Sequence, residues 1–401
     1  MGKNSQVWQR NLLFVSIAQF VTMVGMSSVI PFLPLYIRDL GISDPETALL
    51  WSGIVFSGPY FLAIIFSPIW GILGDKYGRK LMIIRALIGL AIAVFLMSLA
   101  QNVYQLFALR IFQGAASGMV SASLAFVSAN TPETRSGYGI GILQGSMSAG
   151  QIIGPLIGGI LSDITGIRPV FIIVSGLCVV AALLVSIFVN EEKIKAKGNT
   201  IKAFILNFKF VNKRPVMLQL MILIVFTQAG LIFTNPVFPY FVEDIGAPED
   251  YLSTITGILL GIVGFLSIFF APVWGRRNDK KEFRKTLKVA SSIIGAAFIL
   301  HIFMPNFWAV FPLRIVIGIF FPAMIPTLYS ALSKRAPKEN RGGIMGLASS
   351  STLLGSLIAY LTCGVVSSEF GIAWAFIISG ALLFMVAAYA SYKPKSEIIN
   401  K

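Results

Sequence analysis

The chain states one pattern twice. Phe61-Leu62-Ala63-Ile64-Ile65-Phe66-Ser67-Pro68-Ile69-Trp70-Gly71 returns 204 residues later as Phe265-Leu266-Ser267-Ile268-Phe269-Phe270-Ala271-Pro272-Val273-Trp274-Gly275. At the same offset Asp75 meets Asp279, Arg110 meets Arg314 and Gly114 meets Gly318. One residue further out, Pro31 and Pro34 meet Pro236 and Pro239. A repeat of half the chain length restricts the fold to two copies of one unit. In a chain this apolar it implies two homologous membrane bundles, a construction common among transporters.

Charge is scarce and unevenly placed. Of the 401 residues 56% are hydrophobic and 12% charged, against about 25% charged in a soluble domain. Uncharged runs of 19 or more residues occur twelve times, from 11–37 and 47–74 through to 342–368 and 370–392. Each can hold one helical crossing, which needs about 20 apolar residues. The reading is an all-α membrane protein of twelve transmembrane helices in two pseudo-symmetric six-helix bundles. Alternating short-strand patterning is absent, which argues against an outer-membrane barrel. The first apolar run is too long for a signal-peptide core and no cleavage site follows it.

The net charge of +15 could suggest nucleic acid, but its distribution argues for topology. With an even number of crossings, every Lys and Arg falls on one side except Arg38 and Arg168, on the other, and Arg110 and Arg314, inside helices. Acidic residues split about evenly. The positive-inside rule then puts both termini in the cytoplasm, with a generic attraction of the basic loops to anionic headgroups. Cys178 and Cys363 fall mid-helix, far apart in sequence, and support no disulfide or metal framework. No nucleotide-binding motif is present, so an ATP-driven pump has no support. Neither an enzyme activity nor a cofactor nor a metal is expected.

Three domains follow: an N-terminal six-helix bundle over 1–190, a charged linker over 191–214 and a C-terminal six-helix bundle over 215–401. The linker lies along the membrane surface as a short helix or serves as a flexible tether; both readings stand. The outer loops are too short for an extracellular domain.

Several elements carry mechanism. After the second crossing stands Gly71-Ile72-Leu73-Gly74-Asp75-Lys76-Tyr77-Gly78-Arg79-Lys80, where the glycines allow a tight turn and close helix approach. Asp75 can accept hydrogen bonds from a helix N-terminus and pair with Arg79. The fifth crossing carries Gly150, Gly154, Pro155, Gly158 and Gly159, a nearly flat face for another helix, with a proline that bends it. Pro31 and Pro34, like Pro236 and Pro239, fall near the outer ends of symmetry-related helices and suggest gating bends.

In these elements the chain resembles the major facilitator superfamily, and within it the twelve-helix drug:proton antiporters. The resemblance spans the whole chain. It implies that Gly71, Gly74, Asp75, Gly78, Arg79 and Lys80 form a cytoplasmic latch holding the outward-facing state. Asp279 echoes it in the second half, where Glu282 and Phe283 replace the second glycine and the arginine. It implies further that the Gly-Pro element of the fifth crossing marks export rather than uptake. The expected function is proton-coupled export of small amphiphilic compounds or drugs by alternating access, a multidrug efflux activity bearing on antibiotic resistance. The protein would work as a monomer in the cell inner membrane. Its partners would be a small-molecule substrate, protons and the lipid bilayer, with no nucleic acid. A dedicated metabolite or siderophore exporter, or a nutrient uptake symporter, are the alternatives on the same fold.

Arg110 sits in the outer part of the fourth crossing. A charge there is costly unless paired or hydrated. It satisfies carbonyls freed by the prolines of the first crossing, or it tunes a proton site, as the resemblance implies. Arg314 is its counterpart. No carboxylate lies mid-membrane; Asp39, Asp163, Glu243 and Asp244 stand at outer helix ends. His301 titrates in a useful range but also reads as packing. The proton candidates are therefore Arg110, Asp39, His301 and Arg314. The substrate cavity is expected to draw on Gln19, Met23, Met119, Gln144, Gln151, Gln228, Phe233, Asn235, Met324 and Tyr329, whose aromatic, thioether and amide groups suit apolar substrates held loosely.

Overall fold

The uncharged runs become helices. A computed structural model describes residues 3–132, 135–191, 208–280, 283–337 and 341–392, and among these residues no strand occurs. Twelve helical segments are long and apolar enough to cross a membrane. In hydrocarbon every backbone N–H and C=O must be satisfied within the chain, and a helix does this segment by segment.

The first half comprises α1 (Lys3–Ser27), α2 (Leu33–Asp39), α3 (Pro45–Tyr77), α4 (Arg79–Ser98), α5 (Val103–Ala115), α6 (Met119–Asn130), α7 (Ser136–Thr165) and α8 (Ile167–Phe188). The second comprises α9 (Pro215–Ile232), α10 (Phe238–Asp244), α11 (Leu252–Lys280), α12 (Phe283–Leu300), α13 (Val310–Phe320), α14 (Ile325–Arg335), α15 (Arg341–Phe370) and α16 (Ile372–Ser391). Residues 208–212 of the linker are helical, and the Arg214 guanidinium lies 3.8 Å over the Phe210 ring. Residues 192–207 lie outside the described chain.

Among the described residues the sixteen helices α1–α16 make twelve crossings because four crossings are broken, in symmetry-related pairs. Pro34 and Pro239 stand in the first turns of α2 and α10, where a proline's missing N–H has no helical acceptor to lose. The bends expected around Pro31, Pro34, Pro236 and Pro239 are thus helix breaks. The fourth and tenth crossings break between α5 and α6, at Gly118 with φ +109°, and between α13 and α14, at a 3₁₀ turn over Phe321–Ala323. The second crossing continues instead. α3 runs helical through Gly71, Gly74 and Asp75 to Tyr77, and only Gly78, at φ +108°, turns the chain.

By their contacts the described residues group into two compact units. The first takes the described residues of 1–43, 58–197 and 248–264; the second takes those of 44–57, 198–247 and 265–401. The two short segments, 44–57 and 248–264, meet their units through close glycine contacts. In the second unit a side chain at Gly53 would fall 2.5 Å from the Gly364 Cα and the Tyr360 carbonyl. In the first unit Gly257 faces the Pro155 carbonyl and Gly264 faces Ile152 at distances no Cβ tolerates. Lipid is as apolar as leucine, so contacts of small residues and hydrogen bonds hold such helices together.

Each unit has its own core. In the first, Leu12, Val15, Ile83, Leu87, Met119, Phe126 and Val185 form a buried cluster drawn from α1, α4, α6 and α8. Asn11 ties its base, donating from Nδ2 to the Asn190 carbonyl at 2.7 Å and accepting from the Asn190 amide at 2.9 Å. The base of the second is tied by Gln219, which donates to the carbonyls of Tyr389 and Tyr392 at 2.8 and 2.9 Å. Arg284, buried, donates to the Ala390 carbonyl at 2.8 Å and to Gln219 Oε1 at 3.1 Å.

Candidate functional site

The turn at Gly78 is held by the first residue of the expected linker. Glu191 closes the start of α4, accepting from the Arg79 amide on Oε1 at 2.8 Å and from the Lys80 amide on Oε2 at 2.9 Å. A helix start carries unsatisfied amides and partial positive charge, so a carboxylate is its natural partner. A Cβ on Gly78 would approach Glu191 Oε2 to 2.8 Å. The Arg79 guanidinium crosses to the Ala125 carbonyl at 2.9 Å and Lys80 Nζ to the Ser186 carbonyl at 2.8 Å. Arg79 and Lys80, expected in a latch, thus tie the start of α4 to α6 and to the end of α8. Gly71 has no neighbour within 4 Å of a Cβ position, and Gly74 faces Met82 at 3.2 Å. The side chains of Asp75 and Asp279 lie outside what is described.

Along α7 the small residues face two partners. A Cβ on Gly150 would stand 2.6 Å from the Phe20 carbonyl and Met23 Cβ; Gly154 faces Ser27 and Gly158 the Ser28 carbonyl, closer still. Ser27 Oγ shares its one proton between the Met23 carbonyl of its own helix at 2.7 Å and the Gly150 carbonyl at 3.1 Å. Gly159 faces the Ser253 carbonyl on the adjoining 248–264 segment. There the Thr254 amide donates to Asp163 Oδ2 at 2.7 Å, so the last turn of α7 caps the first turn of α11. Pro155 stands inside the helix, and its carbonyl faces Gly257.

The four proton candidates occupy separate places. Arg110 is buried on α5 and donates from Nη1 to Gln113 Oε1 at 2.9 Å; a Cβ on Gly58 would sit 2.8 Å from its own Cβ. Asp39 ends α2 with one side exposed. Desolvation on its packed side raises its carboxyl above the usual range, opposed by the Arg168 charge. His301 is wholly buried, its Nδ1 2.7 Å from the Ala297 carbonyl and its ring stacked 5.3 Å from Phe376. A carbonyl can only accept, so Nδ1 carries the proton and Nε2 is an acceptor, one without a partner among the described residues. Arg314 is buried with its guanidinium 3.7 Å over the Phe238 ring. Its Nε and Nη2 also lack partners among the described residues.

The cavity candidates divide by unit. In the first, Gln19 is fully buried with neither amide atom partnered among the described residues. Gln144 and Gln151 are exposed on α7, and Gln151 Nε2 lies 3.9 Å from the Met23 sulfur. Met119 is taken up in the core. In the second unit, Gln228 donates to Ser356 Oγ at 3.2 Å, Asn235 to the Tyr360 hydroxyl at 3.3 Å, and the Tyr329 hydroxyl meets Thr352 Oγ1 at 3.0 Å. Phe233 and Met324 are buried. A groove of about 680 Å³ lies elsewhere, between α1 and α7, lined by Trp8, Gln9, Ser16, Phe20, Tyr138 and Ser146 among others. No cavity candidate lines it.

Comparison with known proteins bears on this arrangement. The profile of the Major Facilitator Superfamily matches residues 15–300 and again 220–399. The multidrug resistance protein MdtG of Dickeya zeae (strain Ech586) is 31% identical over 386 residues, covering 96% of this chain and 94% of the relative. That of Proteus mirabilis (strain HI4320) is 29% identical over 383 residues, covering 96% and 95%. Among solved structures, the nucleoside transporter NupG (D323A mutant) superposes with a TM-score of 0.78 at 15% identity over 94% of this chain and 98% of that one. The D-xylose-proton symporter gives 0.74 at 16% identity over 98% and 99%.

Proposed function

The chain belongs to the Major Facilitator Superfamily, and from that premise we propose that it exports small amphiphilic compounds, drugs among them, in exchange for protons. It is a multi-pass membrane protein of a transporter family. The observation that carries export is the glycine face of α7, together with likeness over nearly the whole chain to proteins named for multidrug resistance. That face seats α1 on one side and the start of α11 on the other. Backbone-to-backbone contacts without interlocking side chains can part and re-form as units, which alternating access requires.

In this reading the termini are cytoplasmic and a monomer suffices. The Gly71–Lys80 region with Glu191 is the latch, and Arg110 with Gln113 lies next to the proton path. Gln19, Gln144 and Gln151 in the first unit and Gln228, Asn235 and Tyr329 in the second offer amides and hydroxyls to the substrate. Without a mid-membrane carboxylate, neutral and zwitterionic compounds suit this set better than strong cations.

Accumulation of a dye and drug panel in cells with and without the protein is the test. Lower accumulation of several unrelated compounds supports multidrug export. Protection against a single compound would favour a dedicated exporter, and raised accumulation would favour uptake.

A further inference from the structure

The fourth and tenth crossings break at equivalent points by different chemistry. Gly118 breaks the first with a positive φ; Pro322, 204 residues on, lies within the 3₁₀ turn that breaks the second. A helix break strands carbonyls whose amide partners, four residues ahead, no longer face them, and buried carbonyls must find donors elsewhere.

The donors are two tryptophans and an arginine. Trp70, at the end of the repeated Pro-x-Trp run, donates its indole N–H to the Ala115 carbonyl at 2.7 Å. Trp274 does the same to the Ile319 carbonyl, also at 2.7 Å. Both members of this pair, donor and acceptor, are 204 residues apart in the two halves, so the repeat has kept the contact while changing the residue that breaks the helix. The first half adds a second donor. Arg85 lies flat on the Trp70 indole, 3.6 Å from its centroid, and its fork takes the next two carbonyls, Ala116 at 3.1 Å and Ser117 at 2.6 Å. Three successive stranded carbonyls are thereby satisfied by two side chains. The hinge glycine lies against the same group: a Cβ on Gly118 would stand 3.1 Å from Arg85 Nη2 and 3.3 Å from Trp70 Cβ. In the second half the position of Arg85 is Val289, and Trp274 packs against Phe320 with ring centroids 5.4 Å apart.

We infer that Trp70 and Trp274 are positioning residues of the transport cycle: each clasps the break in its unit's discontinuous helix and sets the angle at which α6 or α14 leaves α5 or α13. Arg85 makes the first clasp the tighter of the two. Swinging α6 or α14 requires the indole to release its carbonyl or to carry it along. Removing the N–H while keeping an aromatic ring therefore loosens the break without emptying the site. The inference rests on the transport reading, and its test has one arm that needs no substrate.

Trp70→Phe and Trp274→Phe are made in the full chain. Amide exchange is followed over residues 119–125 and 323–329 in detergent, and Nile Red export is followed in vesicles. Each variant is expected to speed exchange in its own segment by about five-fold, the ratio that loss of one ordinary hydrogen bond supports, with the opposite unit unchanged. The maximal export rate should change several-fold while the half-saturating dye concentration stays within about two-fold, a split that follows from acting on the helix angle and not on the dye. Arg85→Lys, which keeps the charge but not the fork, should loosen residues 119–125 alone. Exchange and export both matching the parent chain would overturn the inference. So would export that falls only in proportion to the amount of folded protein. If Trp70→Phe does not accumulate, Trp274→Phe and Arg85→Lys decide by the same measurements. No export by the parent chain would count against the substrate reading and leave the exchange arm standing.

Discussion

The backbone amide of Arg79 donates to Glu191 Oε1 at 2.8 Å across 112 residues of sequence. The next amide, that of Lys80, takes the other oxygen of the same carboxylate. One side chain at the end of the first half thus closes the helix that begins at the Gly78 turn.

Removing that cap should be measurable. Glu191→Ala leaves two amides without acceptors at the start of α4, at a cost of about 1 kcal/mol. Glu191→Gln keeps one carbonyl acceptor and should lose less. A lower thermal midpoint in detergent for Ala than for Gln, both below the parent, is the expected order. Midpoints unchanged in both would show that the Glu191 carboxylate does not stabilise the start of α4.

The α7 glycines divide into those that touch a neighbour and those that do not. Gly158→Ala would press a methyl onto the Ser28 carbonyl, and overpacking of this kind costs about 1–3 kcal/mol. Gly141→Ala and Gly145→Ala meet nothing within 4 Å and should be silent in folding. Expression, thermal midpoint and transport, measured for the three, should single out position 158. Equal behaviour of all three would mean that the α1–α7 contact does not constrain the fold.

These contrasts show what could be read from the residues. The crossings were legible because charge is excluded from spanning segments, so an uncharged run of sufficient length can hardly be anything else. The repeat was legible because Trp70 and Trp274 stand in matching runs, yet the role of the indole was not. A carbonyl is stranded only once the helix breaks, and nothing in the local pattern says where Ala115 will lie. Glu191 stood among lysines and read as linker, since a cap supplied from 112 residues away leaves no local signature. Helices apolar on every side give no periodicity to assign faces, which is why Met119, Phe233 and Met324 read as lining and are found in packing. The segments 44–57 and 248–264 follow glycine contacts at Gly53 and Gly257, whose partners only the fold reveals.

Asp75→Asn tests the latch from its other end. Asp75 lies in the last turns of α3, three residues before the Gly78 turn that Glu191 fixes. Loss of its charge should slow transport several-fold while expression and thermal midpoint stay near those of the parent chain. Export rates in vesicles equal to the parent would reject a latch role for Asp75 and leave the Glu191 cap unaffected.

If protons drive export, a pH gradient directed inward should speed substrate efflux in vesicles, and a proton ionophore should abolish the gain. Arg110 is buried with Gln113 on one guanidinium nitrogen, and a fixed positive charge lowers the proton affinity of whatever lies near it. Arg110→Ala should therefore uncouple efflux from the gradient. Arg110→Lys should keep part of the coupling, since the charge remains while the forked geometry is lost. The acceptor is then sought by Asp39→Asn, Glu243→Gln, Asp244→Asn and His301→Gln. Among these Asp39 has a carboxyl raised by desolvation, so it binds a proton at higher pH than an ordinary aspartate. If Asp39 is the acceptor, Asp39→Asn should flatten the dependence of efflux on pH on the acidic side and leave dye binding intact. Efflux that ignores the pH gradient, or follows a sodium gradient instead, would overturn proton coupling without touching the family assignment.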